Sequence, residues 1–121
     1  MKKNRDVATR ANAVWLVPMT ANGGVSKVGL FVQLPSPGPD GMAMDAEGNL
    51  AVAHPSLGVV WLFDRKGVPT YRVHSCAGSM VTNIAYGGED MRTLFITESG
   101  SGTILKAQMP ASGRQVYTTD V

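Results

Sequence analysis

Cysteine, charge and long apolar runs are all scarce in this chain, and each scarcity excludes a class of protein. Cys76 is the one cysteine in 121 residues, so no internal disulfide can form and no Cys-x-x-Cys metal or redox pair exists. As a small apolar side chain it is expected to be buried or half-buried. Charged residues make up 17% of the sequence, with eleven Lys and Arg against nine Asp and Glu. A net charge of +2, scattered along the chain, argues against nucleic acid as a partner. No apolar run approaches the length that spans a bilayer, so a membrane is not expected as a partner either. The basic start Met1-Lys2-Lys3-Asn4-Arg5 could open a signal peptide, but Asp6, Thr9, Arg10 and Asn12 interrupt the apolar stretch that should follow. A cytoplasmic protein is the expectation. Helical periodicity is missing as well, since no window keeps it beyond a turn or two. There is no Gly-x-Ser-x-Gly elbow, P-loop or dinucleotide fingerprint.

What the chain does contain is strand and turn chemistry. β-rich apolar runs occur at Val14–Val17, Val28–Leu34, Met42–Met44, Leu50–Ala53, Val59–Phe63, Thr70–Val73, Asn83–Tyr86, Thr93–Thr97, Thr103–Ala107 and Gln115–Thr118. Turn-forming stretches separate most of them, among them Ala21-Asn22-Gly23-Gly24, Asp64-Arg65-Lys66-Gly67 and Gly87-Gly88-Glu89-Asp90. Asp45-Ala46-Glu47-Gly48-Asn49 faintly echoes a calcium loop, but it lacks the spacing and final Glu of an EF-hand and reads as a hairpin turn. The fold class predicted is all-β.

The strands recur with a period. Asn49–Val73 lies over Thr93–Tyr117 and over Val7–Val32, with anchors Trp15, Trp61 and Leu105 spaced 46 and 44 residues apart. Four short strands in a unit of about 44 residues is the pattern of a β-propeller blade. This predicts a partial propeller of four-stranded antiparallel blades: an incomplete blade over residues 7–39, then blades over 40–81 and 82–121. That amounts to about three blades, where a closed ring needs roughly four to eight. Equivalent positions for Trp15 and Trp61 suggest packing between neighbouring blades.

The stretch Gly38–His54 (GPDGMAMDAEGNLAVAH), followed by Val60–Asp64 (VWLFD) and Thr82–Thr97 (TNIAYGGEDMRTLFIT), resembles the gluconolactonase/regucalcin family, which includes senescence marker protein and luciferin-regenerating enzyme. The resemblance runs from about Val7 to Tyr117 and covers the C-terminal half of the family pattern. It implies a six-bladed propeller with one divalent metal, calcium or zinc, at the mouth of its channel. It also implies hydrolysis of sugar-acid lactones or related cyclic esters. Of the family's three metal ligands (a first-blade Glu, a mid-chain Asn and the Asp of Pro-Asp-Gly-Met), only the last has a counterpart here, Asp40.

An antiparallel meander places the starts of first strands and the ends of second strands at one edge. Asp40 and Asn83 open first strands, while Arg10, His54 and Glu98 follow second strands, so all five are expected at one rim. Asp40 is the candidate catalytic residue and metal ligand, because a carboxylate is a hard oxygen donor and can also accept a proton from water. The bland alternative is a turn residue in Pro39-Asp40-Gly41. Arg10, His54, Asn83 and Glu98 are candidate substrate contacts. For each a structural role stays open: solvated side chains for Arg10, His54 and Glu98, and a local backbone cap for Asn83.

Two functional readings follow. One is a metal-dependent lactonase whose site is incomplete in a single chain. The other is a non-catalytic binding or assembly module. Open blade edges and apolar flanks predict self-association in either case, a homodimer or higher oligomer being the simplest cover.

Overall fold

A computed structural model describes residues 12–116, and among them every regular element is a strand. No helix among the described residues is long and apolar enough to cross a membrane. The chain divides into two compact units, Met1–Pro39 and Asp40–Val121.

In the first unit, β1 (Ala13–Leu16) and β2 (Gly29–Gln33) pair antiparallel, with a register shift between Val14 and Trp15. An isolated bridge between Met19 and Val25 extends the ribbon toward its turn. The second unit holds two sheets. One has β3 (Met42–Met44), β4 (Leu50–His54), β5 (Val59–Phe63) and β6 (Pro69–His74) in sequence order. The other has β7 (Val81–Gly87), β8 (Thr93–Glu98) and β9 (Thr103–Gln108). All pairs are antiparallel.

Three of the turns are made by the same local chemistry. In Thr20–Gly24, Asp45–Asn49 and Asp64–Val68, the first N–H donates to the fifth carbonyl and the fourth N–H to the first carbonyl. The fourth residue is Gly23, Gly48 or Gly67, at φ +86°, +89° and +83°. This is a type I turn closed by a left-handed residue, where glycine meets no steric penalty. Asp45 and Asp64 complete it: each Oδ1 accepts the N–H groups two and four residues on, at 2.9–3.0 Å. Asp45 therefore spends its oxygens on the loop's own backbone and on the Asn49 amide.

Strand alternation decides the core. In β8, Leu94, Ile96 and Glu98 are buried on one face, while Thr93, Phe95 and Thr97 alternate with them. That face packs with Ile84, Val81 and Met109 against Ala51, Ala53, Val60 and Leu62 of the first sheet. Strands β4 and β5 bury their other face too, through Val52, Val59 and Phe63, which explains their unbroken apolar runs.

The structure departs from the sequence expectations in three places. Gln115 and Val116 lie in no strand, and the rest of the run predicted at Gln115–Thr118 is outside the described residues. The last repeat unit thus shows three strands, not four, among the described residues. The cause is that the chain after β9 is drawn back to β3: Ala46 N–H donates to Ser112, Arg114 N–H to Met44, and Gly113 bridges Asp45. Cys76 is exposed, because the loop between β6 and β7 presents no sheet face to cover it. Trp15 and Trp61 share a repeat position but not an environment. Trp15 is 54% exposed on its ribbon, which has two strands among the described residues. Trp61 is half-buried, stacked on Phe63 with centroids 6.3 Å apart, and the Arg72 guanidinium lies 5.7 Å from its ring.

Candidate functional site

Asp40 is exposed and sits just ahead of β3, and its backbone is tied down from two directions. Its N–H donates to the Ala53 carbonyl, and the Ala53 N–H donates to the Gly41 carbonyl, both at 2.9 Å. From the second sheet, the Thr82 carbonyl accepts the Gly41 N–H at 2.9 Å. Gly41 lies directly against Asn83. A Cβ built on Gly41 would stand 2.8 Å from the Asn83 Cα, 2.9 Å from its Cγ and closer still to its Oδ1. Here glycine is required by the close approach of two sheets. The result is an exposed carboxylate one residue from the close contact between Gly41 and the exposed Asn83, on a backbone that is tied down by hydrogen bonds.

The register of β7 accounts for the position of Asn83. Val81 faces Glu98 and Asn83 faces Thr97, so Thr82 is an extra residue, a β-bulge. The Asn83 Oδ1 accepts the Ile84 N–H at 2.9 Å, which is the local backbone cap left open above.

The other candidates differ from this pair in burial. His54 closes β4 and is fully buried, with Nδ1 accepting the Trp61 Nε1–H at 3.1 Å. A ring nitrogen that accepts carries no proton, so the imidazole proton lies on Nε2. Glu98 closes β8 and is 1% exposed, not solvated on a polar loop. Its carboxylate accepts from Met80 N–H at 3.0 Å, Gly100 N–H at 2.9 Å, Ser101 N–H at 2.7 Å and the Ser101 hydroxyl. The Ser101 hydroxyl is the main reason the carboxyl is held down to about 2; burial opposes it, and the Ser101, Gly100 and Met80 N–H groups reinforce it. Four donors fill the acceptor capacity of this carboxylate, which clamps the loop before β7 to the turn after β8. Arg10 lies outside the described residues.

A divalent cation needs more than this pair offers. Calcium takes about six to eight oxygens. Asp40 brings one carboxylate, and the Asn83 oxygen already accepts an N–H. Among the described residues no group of three His, Cys, Asp or Glu side chains could hold a metal.

Sequence reasoning missed the hydroxyls around this pair. Thr97 Oγ1 accepts the Asn83 N–H at 3.1 Å, lies 3.1 Å from Thr82 Oγ1 and donates to the Asn83 carbonyl at 3.3 Å. Thr97 reads as an ordinary strand residue and Thr82 as the residue ahead of a strand, and only the bulge gives them this work.

A family model described as the SMP-30/Gluconolactonase/LRE-like region matches residues 6–100. Pentonolactonase XacC of Haloferax volcanii is 30% identical over 118 residues, covering 82% of this chain and 40% of that protein. A solved regucalcin from Agrobacterium tumefaciens, a calcium-binding protein, superposes with a TM-score of 0.74 at 25% identity, covering 88% of this chain and 41% of that one. A luciferin-regenerating enzyme superposes with a TM-score of 0.67 at 24% identity, over 74% of this chain and 31% of its own, a likeness of fold alone. The chain spans about two fifths of the length of the first relatives it matches. Antiparallel all-β sheets with these neighbours are β-propeller structure. With a family model matched over most of its length, the chain belongs to the SMP-30/gluconolactonase/LRE-like family.

Proposed function

We propose that this chain forms one wall of a site for sugar-acid lactones or related cyclic esters, with Asp40 as the reacting carboxylate and Asn83 beside it as a polar contact to the ring. The observation that supports this reading is the exposed Asp40, with backbone hydrogen bonds on both sides, in a chain 30% identical to a pentonolactonase. A carboxylate so placed can orient a water and take its proton as the oxygen attacks the lactone carbonyl. The ring C–O bond then breaks, and the proton passes to the released hydroxyl, leaving a hydroxy acid. The oxyanion formed on the way needs donors or positive charge aimed at it. We propose that these, together with the further oxygens that calcium or zinc would need, come from outside the described residues.

Acid release from a pentonolactone, followed by titration at constant pH, tests the role of Asp40. Such lactones also open in buffer alone, so the comparison is with Asp40→Asn under identical conditions. A general base contributes about 10²–10⁴-fold, so the variant is expected to fall to the buffer rate wherever the wild type exceeds it. The isolated chain, in which Asp40 is the one residue matched to a family metal ligand, is expected to stay at background. Equal rates above buffer for both proteins would remove Asp40 from the chemistry. Calcium titration of wild type against Asp40→Ala gives the parallel test for a metal role, with weaker binding by the variant expected.

Exposed apolar surface favours the second reading, a module that self-associates. Ile104 on β9 is 68% exposed, and Trp15, Leu16 and Leu30 of the first unit are each more than half exposed. Among the described residues, strands β6 and β9 end their sheets. Uncovered edges and faces of this kind pair with another chain. Sedimentation at micromolar concentration is expected to show a dimer or larger species. A monomer at every concentration would refute association.

A further inference from the structure

We infer that Thr97 is the positioning residue for the Asp40–Asn83 pair: its hydroxyl, reaching across from β8, locks the Thr82 bulge and through it the backbone of Asp40 and Gly41. The inference rests on the proposed lactone site, and it names how that site is held.

A bulge normally leaves ladder groups without partners. At this one, the Asn83 N–H and C=O both turn to a single side-chain oxygen. Thr97 Oγ1 accepts from the Asn83 N–H at 3.1 Å and donates to the Asn83 carbonyl at 3.3 Å. The Thr82 hydroxyl, 3.1 Å from Thr97 Oγ1, supplies the remaining hydrogen bond, so the oxygen accepts two and donates one. With the bulge stapled in this way, the Thr82 carbonyl points out of the β7–β8 ladder and accepts the Gly41 N–H at 2.9 Å. Gly41 then pairs with Ala53, which also takes the Asp40 N–H. The coupling runs from Thr97 through Thr82 and Asn83 to Gly41 and Asp40, with one hydrogen bond or one close contact at each step. Thr97 itself is exposed and outside the apolar core, so its hydroxyl is free to serve the bulge without a packing role.

The test replaces Thr97 by Val, which keeps the branched shape and strand preference but removes the hydroxyl. Thr97→Ser keeps the hydroxyl, and Thr97→Ala is a second variant without it. Amide hydrogen exchange is read at Asn83, Gly41 and Asp40, with Leu94 and Ile96 as core controls. Loss of the staple is expected to speed exchange at Asn83 and Gly41 about tenfold in Thr97→Val and Thr97→Ala, the loss expected of one hydrogen bond. The core amides should not change, and Thr97→Ser should exchange like the wild type. Wild-type exchange at Asn83 and Gly41 in the Val and Ala variants would overturn the inference. So would an equal speeding of the core amides, or a Ser variant that behaves like Val. Pentonolactone is then titrated while the Gly41 and Asn83 resonances are followed. Binding weakened by Thr97→Val and restored by Thr97→Ser supports the positioning role in the site. If the wild-type resonances do not respond to the lactone, the lactone reading fails, while the exchange result still decides the role of the hydroxyl.

Discussion

Replacing Glu98 by Gln is expected to lower this chain's stability at neutral pH and to weaken the loss of stability that acid causes in the wild type. The folded carboxyl is held down to about 2, against an ordinary value of 4.5, chiefly by the Ser101 hydroxyl. As pH falls below 4.5, the unfolded chain takes up a proton that the folded chain refuses until about 2. The contribution of Glu98 is therefore complete above 4.5 and lost across the window from 4.5 to about 2. In Glu98→Gln one acceptor oxygen becomes an NH₂ group facing donors, and at least one of the Met80, Gly100 and Ser101 N–H groups loses its partner. Urea unfolding of both proteins from neutral pH down to about 2 checks this. The midpoints should differ most at neutral pH and converge in acid. Parallel curves with a constant gap would show that the charge of Glu98 is not what holds the loop.

Gly41→Ala is expected to be the most damaging one-carbon change where β3 and β7 meet. The added Cβ would stand 2.8 Å from the Asn83 Cα, which is backbone and cannot rotate away. Either β7 retreats from β3 or the Asp40 segment lifts off β4, and both break the Gly41–Thr82 hydrogen bond. Overpacking of this kind costs about 1–3 kcal/mol. The same alanine at Gly102, where nothing lies within 4 Å, meets no neighbour but must adopt φ +68°, so it reports backbone strain without a clash. Denaturant midpoints for the two variants, read with the Asn83 resonance, separate clash from strain. Gly41→Ala should lower stability and shift Asn83; an unperturbed Asn83 would mean that the sheets do not meet there in solution.

The strands and their turns were legible in the sequence because they are set by residues close together in the chain. The Asp45–Asn49 and Asp64–Val68 hairpins follow from an aspartate that accepts two N–H groups and a glycine three residues later that takes the left-handed conformation. The Pro39-Asp40-Gly41-Met42 motif pointed to Asp40, and the family resemblance followed from it and its neighbours. Burial was decided elsewhere. His54 beside a proline and Glu98 among glycines and serines look solvated in one dimension. Each is covered in three, because the Trp61 indole reaches His54 diagonally from β5 and the Met80 loop folds over Glu98. Asn83 and Gly41 are 42 positions apart in the chain and touch only because two sheets pack at β3, β4 and β7. Local patterns determine which residues become strand and turn, since those depend on φ, ψ and side-chain period within a few residues. Which polar side chains stay exposed where the sheets meet, and which are sealed beneath, depends on how sheets distant in sequence are brought together, and tertiary packing alone decides that.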